Sequence, residues 1–220
     1  MNRTQQLFLA VKTLFLIYII KLSFTAIQVS LIKYGILREI KGTDGGSTLL
    51  SESGPVLFLL EFVLIGPILE EFGFRAILQK GKLLTAAGAS SMILLVFVLL
   101  FNIPIYSLTS CSALAIGLAT AIFAILINTP SILLKITAFT NNHARSILWI
   151  NATAFACWHF YNFDFAQTGV FEVVWYLTPH FIVALILSWI SIKAGFLTAC
   201  AVHVCNNLLP AVFFLYANQA

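Results

Sequence analysis

Seven long apolar runs, separated by short polar segments, are the feature that most limits how this chain of 220 residues can fold. A helix needs about 20 apolar residues to cross the hydrocarbon core of a bilayer, and each run reaches about that length. The sequence therefore predicts an all-α, polytopic transmembrane helix bundle of about seven spans. The range is six to eight, because the first and fourth runs are long enough to be tilted or broken. The runs cover residues 6–32, 54–78, 84–104, 109–138, 146–166, 170–192 and 195–217.

The composition excludes the soluble classes of protein. Apolar residues make up 60% of the chain and charged residues 9%, whereas a soluble domain has about 45–50% and about 25%. Such a chain cannot cover itself with polar surface, which rules out a soluble enzyme, a nucleic-acid-binding domain and a disordered protein. We expect a single integral membrane domain over residues 1–220, in contact with the lipid bilayer and with no nucleic acid as a partner.

The basic residues between the runs predict the orientation. Cytoplasmic loops of membrane proteins carry an excess of Lys and Arg. With a cytoplasmic N-terminus, seven basic residues face the cytoplasm and three face the other side. We therefore expect a bacterial cytoplasmic membrane protein with its N-terminus in the cytoplasm. The two sets are Arg3, Arg75, Lys80, Lys82, Lys135, Arg145 and Lys193 against Lys33, Arg38 and Lys41.

The second run carries charged residues at a depth where lipid makes them costly. Glu71 and Arg75 are four residues apart, so they lie on one face of a helix and are expected to form an ion pair. Glu70 points about 100° away from Glu71 and has no local partner. Gly66-Pro67 is expected to break the helix, and a helix that restarts there has both glutamates in its first turn.

Two later runs add polar groups of the kind that hydrolases use. His159 ends the segment Phe155-Ala-Cys-Trp-His159, and His203 and Asn207 share one face of the last run. A single intramembrane histidine is more often structural, and His180 is interpreted in that way. Three separate runs with such groups favour a shared site, because intramembrane hydrolysis needs a base, a water and donors for the oxyanion.

The sequence lacks the motifs of other kinds of intramembrane protease. No His is followed by Glu, so the H-E-x-x-H zinc motif is missing. Asp44 and Asp164 are the only aspartates and lie outside the centres of the runs, so a paired-aspartate site is impossible. No nucleophilic serine turn of the G-x-S-x-G type occurs. A glutamate pair, two histidines and an asparagine are left.

Three motifs resemble those of a known family. Glu70-Glu71-Phe-Gly-Phe-Arg75 matches E-E-x-x-x-R, Phe155-Ala-Cys-Trp-His159 matches F-x-x-x-H, and His203-Val-Cys-Asn-Asn207 matches H-x-x-x-N. All three occur in the order of the CPBP intramembrane proteases, which include type II CAAX prenyl endopeptidases and bacteriocin-processing or immunity proteins. The resemblance covers roughly residues 55–210, which is the expected protease-like core.

The resemblance implies an intramembrane endopeptidase that hydrolyses a membrane-associated protein or peptide. By this resemblance, Glu70 is the base that activates water and His159 completes the water site. His203 and Asn207 are implied to stabilise the oxyanion.

Glu71 and Arg75 are implied to be a structural pair behind the site. The resemblance leaves the cofactor open, and if a zinc ion is bound its ligands are Glu70, His159 and His203.

One spacing differs from the usual pattern of the family. The first and second motifs are usually on adjacent helices, whereas the stretch between Arg75 and His159 has room for two additional spans. His159 also falls late in a run that leads away from the side of Glu70. Either the fifth span extends beyond residue 166 and tilts, or His159 lies outside the site.

Two alternatives stay open at this stage. A non-enzymatic carrier, coupled to ions or protons through Glu61 and Glu70, also explains buried acids next to a helix break. A degenerate member of the family that serves as an immunity or scaffold protein is the other.

Overall fold

A computed structural model describes residues 1–43, 45–79, 81–101 and 110–219. Lys80 and residues 102–109, which include the end of the third predicted run and the start of the fourth, lie outside the described residues. Within them the fold is all-α, as predicted, and a single β-bridge joins Gly42 and Phe163. The helices are α1 (Arg3–Lys33), α2 (Gly45–Leu59), α3 (Gly66–Arg75), α4 (Lys82–Phe101), α5 (Ser110–Asn128), α6 (Pro130–Asn142), α7 (Ala144–Trp158), α8 (Val170–Ala194) and α9 (Phe196–Gln219).

The number of apolar helical segments agrees with the predicted number of spans. Five helices in the described part of the chain are long and apolar enough to cross a membrane, namely α1, α4, α5, α8 and α9. Two further predicted runs are composite. The second consists of α2, a π-helical turn over Leu60–Ile65 and α3, and the fifth consists of α7 and a 3-10 turn over His159–Asn162. Together these make about seven apolar segments.

The fourth predicted run is broken. The residues of this run form two helices, α5 and α6, which are separated at Thr129. Pro130 stands at the start of α6, because a proline has no N–H to continue the helix before it and fits the first turn of a new one. The sequence allowed for this outcome in its range of six to eight spans.

Large apolar side chains cover the outside, and polar side chains are buried inside. Phe15, Leu100 and Leu197 are 68%, 72% and 80% exposed, while Glu71 and Arg75 are fully buried. In water this arrangement would be unstable, whereas in a bilayer the exposed apolar surface contacts lipid tails. The protein is therefore an integral membrane protein.

The helix does not break at Gly66-Pro67, so this prediction is wrong. The π-helical turn runs directly into α3, and the Gly66 N–H donates to the Glu61 carbonyl, five residues back. The wider π turn absorbs the missing N–H of Pro67 without interrupting the helix. No acidic residue falls in the first turn of α3, so the expected effect of the helix dipole on Glu70 and Glu71 does not apply.

The fifth run ends earlier than predicted. α7 stops at Trp158 instead of continuing to residue 166. Its 15 residues make a helix about 22 Å long, shorter than the roughly 30 Å of hydrocarbon. The end of α7 therefore does not have to reach the far surface of the membrane. His159 can lie in the site without an extension of the fifth span beyond residue 166.

Small residues allow α3 and its following turn to approach α4 closely. A Cβ atom added to Gly73 would lie 2.1 Å from Leu95, and one added to Gly88 would lie 2.2 Å from the backbone nitrogen of Ile77. α3 also packs on α9, α7 packs on α8, and α1 packs on α8 and α9. These contacts bring the three motif-bearing helices to one interior space.

Candidate active site

A cavity of about 490 Å³ lies between the helices, and Glu70, His159, His203 and Asn207 all line it. The four side chains come from α3, the turn after α7, and α9. The expected convergence of the three motifs on one cavity is therefore present. The catalytic roles of these residues stay a prediction.

Glu71 connects two of the motifs inside the protein. Its Oε1 lies 3.1 Å from Arg75 Nη1, which is the predicted ion pair, and both side chains are fully buried. The same oxygen lies 2.8 Å from Nδ1 of His203. Since a carboxylate only accepts, His203 donates from Nδ1, and its Nε2 is turned towards Glu70 Oε2 at 3.7 Å. Glu71 therefore orients His203, which the sequence did not predict.

Phe155, the first residue of the second motif, links α7 to the ion pair. The Arg75 guanidinium lies over its ring, 4.2 Å from the ring centroid. This is a cation–π contact of a kind that stabilises a buried cation. The Asn151 side chain, one turn earlier in α7, donates a hydrogen bond to the Phe74 carbonyl. Both contacts hold α7 against α3.

Glu70 has a partner that is distant in sequence. The Trp158 Nε1–H donates to Glu70 Oε1 at 3.2 Å. The other oxygen, Oε2, is buried without a hydrogen-bond partner among the described residues, and 17% of the side chain is exposed. One carboxylate oxygen is thus held by Trp158, while the other has no hydrogen bond of its own in the part of the chain that the structure describes.

The His159 ring is held on two sides. Its Nδ1 donates to the Phe155 carbonyl at 2.9 Å, which leaves Nε2 of the neutral ring as an acceptor. The ring stacks on that of His180, with 4.1 Å between the ring centroids. His180 also lines the cavity, so it contributes to the site as well as to the packing of α8.

The Asn207 amide belongs to a chain of hydrogen bonds that reaches α1. Its Nδ2 donates to the Phe62 carbonyl at 3.3 Å, and its Oδ1 accepts from Asn206 Nδ2 at 3.0 Å. The Asn206 Oδ1 accepts from Lys21 Nζ at 2.8 Å. Sequence reasoning missed Lys21, Trp158 and Asn206. The signal that could have identified Lys21 is its positive charge within the first apolar run.

The three residues that would hold a zinc ion, if one is bound, line the cavity without surrounding a single point. Among the residues that the structure describes, no group of three or more His, Cys, Asp or Glu side chains is placed to hold a metal ion. Glu70, His159 and His203 share the cavity without converging in this way.

Comparison with known proteins identifies one family. The model of the type II CAAX prenyl endopeptidase Rce1-like family matches residues 52–209. No significant match was found among curated proteins or among solved structures.

Proposed function

Because the chain belongs to the type II CAAX prenyl endopeptidase Rce1-like family, we propose that it is an active intramembrane endopeptidase that hydrolyses a peptide bond of a membrane-associated protein or peptide. Family membership confirms the resemblance to CPBP proteases that the motifs indicated. The observation that carries the proposal is the convergence of Glu70, His159, His203 and Asn207 on one cavity. The protease core lies within about residues 55–210, in a bacterial cytoplasmic membrane with the N-terminus in the cytoplasm.

Glu70 acts as the general base of the reaction. Its free Oε2 accepts a proton from a water, and the water oxygen attacks the carbonyl carbon of the scissile bond. When the tetrahedral intermediate collapses, the C–N bond breaks and Glu70 returns the proton to the leaving amine. The Trp158 N–H supports this role because it holds Oε1, while Oε2 has no hydrogen-bond partner among the described residues.

His159 holds the attacking water. With Nδ1 committed to the Phe155 carbonyl, Nε2 of the neutral ring accepts a hydrogen bond from the water. Stacking on His180 keeps the ring in that orientation. The water is then held between a base and an acceptor, so its lone pair is directed at the substrate.

Asn207 and His203 stabilise the oxyanion. The Asn207 amide has two N–H donors, and the one that does not bind Phe62 is available to the cavity. His203 donates from Nε2 as the imidazolium, which the Glu71 carboxylate stabilises from the other side of the ring. Donors placed in this way in a water-poor site contribute about 2.7–4 kcal/mol each to the transition state.

The experiment that tests the proposal compares Glu70→Gln with wild type. Purified protein in detergent or liposomes is given a library of membrane-anchored peptides, and cleavage is followed by mass spectrometry. Glu70→Gln keeps the shape of the side chain but cannot accept the proton, so essentially all cleavage is lost. Glu39→Gln, at an exposed position outside the cavity, is the matched control and cleaves like wild type.

Two outcomes would contradict the proposal. Equal cleavage by wild type and Glu70→Gln removes Glu70 from the mechanism. Absence of cleavage by wild type, together with ion or proton flux into liposomes that Glu70→Gln abolishes, establishes the carrier alternative.

A further inference from the structure

Lys21 is a charged residue in an apolar membrane helix. It lies in α1, which carries none of the three motifs, and it lines the same cavity as Glu70 and Asn207. None of the ion pairs found in the described part of the chain includes it. A lysine at mid-membrane costs about 2.5–3.5 kcal/mol on insertion scales, and such residues are usually functional.

The hydrogen bond of Lys21 to Asn206 determines the orientation of two amides. A lysine ammonium only donates, so Asn206 has to present its Oδ1 to Lys21 Nζ, at 2.8 Å. Its NH2 group then faces Asn207, whose Oδ1 accepts at 3.0 Å. The NH2 group of Asn207 is thereby turned away from Asn206, with one N–H donating to the Phe62 carbonyl at 3.3 Å. Its other N–H is left for the cavity.

Neighbouring contacts keep Lys21 in reach of Asn206. Tyr18, one turn earlier on the same face of α1, donates from its hydroxyl to the Cys205 carbonyl at 3.0 Å. Ile17 packs in a buried cluster with Ala199 and Val202 of α9. Asn206 lines the cavity but is only 3% exposed, so its amide depends mainly on the protein for its hydrogen bonds.

We propose that Lys21 is a positioning residue, which acts through Asn206 to direct an N–H donor of Asn207 into the cavity. This inference rests on the proposed function, in which that donor stabilises the oxyanion. Without the cation, Asn206 is free to flip, and a flipped Asn206 makes Asn207 present its carbonyl oxygen to the cavity. An oxygen there repels the developing oxyanion instead of stabilising it.

The test measures kcat and KM separately for Lys21→Met with a cleaved anchored peptide. We expect kcat to fall about tenfold with KM unchanged, which is less than the effect of deleting the Asn207 donor, about 100–1,000-fold. Lys21→Arg retains a donor-only cation and is expected to restore kcat to within about threefold of wild type. Restoration by Lys21→Arg also shows that the position tolerates change without loss of the fold.

Two control variants separate positioning from packing and from charge. Ser30→Ala removes an exposed side-chain hydrogen bond within α1, to the Ala26 carbonyl, and leaves the amide chain intact. Lys12→Met removes a positive charge from the exposed face of α1, where Lys12 lies over the Phe8 ring. Both variants are expected to cleave like wild type.

A double-mutant cycle with Asn207→Ala decides how Lys21 acts. If Lys21 works through Asn207, adding Lys21→Met to Asn207→Ala causes no further loss of kcat. A full additional tenfold loss would show that Lys21 acts on the reacting atoms directly and would overturn the proposal. A rise in KM with unchanged kcat would also overturn it, because Lys21 would then bind an anionic group of the substrate.

The proposed function and this inference fail in different ways. Absence of cleavage by wild type refutes the function. Cleavage by wild type with an unchanged kcat in Lys21→Met refutes only the positioning role.

Discussion

Two pairs of helices in the same bundle differ in what they place in its interior. α3 and α9 contribute Glu70, Glu71, Arg75, His203 and Asn207, which contact one another or the cavity. α4 and α5 lie between the first and second motifs in sequence and contain no Asp, Glu or His. They pack through small residues and apolar side chains instead.

The two pairs are stabilised in different ways. In α3 and α9 every buried charge needs a partner, because an uncompensated charge in low dielectric costs several kcal/mol. In α4 and α5 stability depends on how closely backbones approach, since lipid tails are as apolar as the helix surface. We therefore expect substitutions in the first pair to alter chemistry or charge balance, and substitutions in the second pair to alter only stability.

The largest expected effect is that of Arg75→Ala on folding. Removing the guanidinium leaves Glu71 with His203 as its remaining partner and deletes the contact with the Phe155 ring. Breaking a buried pair in this way costs about 3–5 kcal/mol. The measurement is thermal unfolding in detergent, with Arg145→Ala, which removes an exposed arginine at the start of α7, as the control. An unchanged melting temperature for Arg75→Ala would contradict the role given to this pair.

The next effect is that of Asn207→Ala on cleavage. The variant keeps the proposed base but loses the proposed oxyanion donor, so we expect a fall in kcat of about 100–1,000-fold with normal folding. Asn128→Ala is the matched control in the other helix pair. Its amide donates to the Ala124 carbonyl within α5 and lies far from the three motifs in sequence. Equal activity of Asn207→Ala and Asn128→Ala would remove the distinction between the two pairs.

The sequence predicts those features that depend on local spacing. Apolar runs of membrane length indicate the helices, and the spacing of Glu71 and Arg75 predicts their ion pair, because residues four apart meet on one helical face. The convergence of the three motifs was expected from the chemistry of their side chains and from the family resemblance and not from spacing, since nothing local brings distant helices together.

The missed contacts all join residues that are far apart in the chain. Trp158 and Glu70 are 88 positions apart, Glu71 and His203 are 132 apart, and Lys21 and Asn206 are 185 apart. Such pairs are fixed by the way the helices pack. The periodicity of a single sequence carries no information about that packing. The early end of α7 was missed because Phe160, Phe163 and Phe165 extend the apolar pattern beyond Trp158, although Asn162 and Asp164 interrupt it.

Gly88→Ala tests the close packing of α4. The added methyl group would lie 2.2 Å from the backbone nitrogen of Ile77, and a backbone atom cannot move aside as a flexible side chain does. We expect a destabilisation of about 1–3 kcal/mol, with kcat unchanged in the molecules that fold. Gly117→Ala in α5 has open space around the new methyl group and is expected to stabilise the helix by about 0.5–1 kcal/mol. The comparison fails if both variants unfold at the same temperature.

The smallest expected effect is that of Trp158→Phe, which removes one donor and keeps an aromatic ring. Trp158 orients Glu70 through a single hydrogen bond of 3.2 Å. Loss of a hydrogen bond to a carboxylate costs about 1.5 kcal/mol, so we expect kcat to fall about tenfold with KM unchanged. Trp149→Phe is the control, since Trp149 lies on the exposed face of α7 and its ring contacts Phe181 instead of the site. If Trp158→Phe cleaves as fast as Trp149→Phe, Glu70 is oriented by something other than Trp158, and Nε2 of His203, 3.7 Å from Glu70 Oε2, is then the next group to substitute.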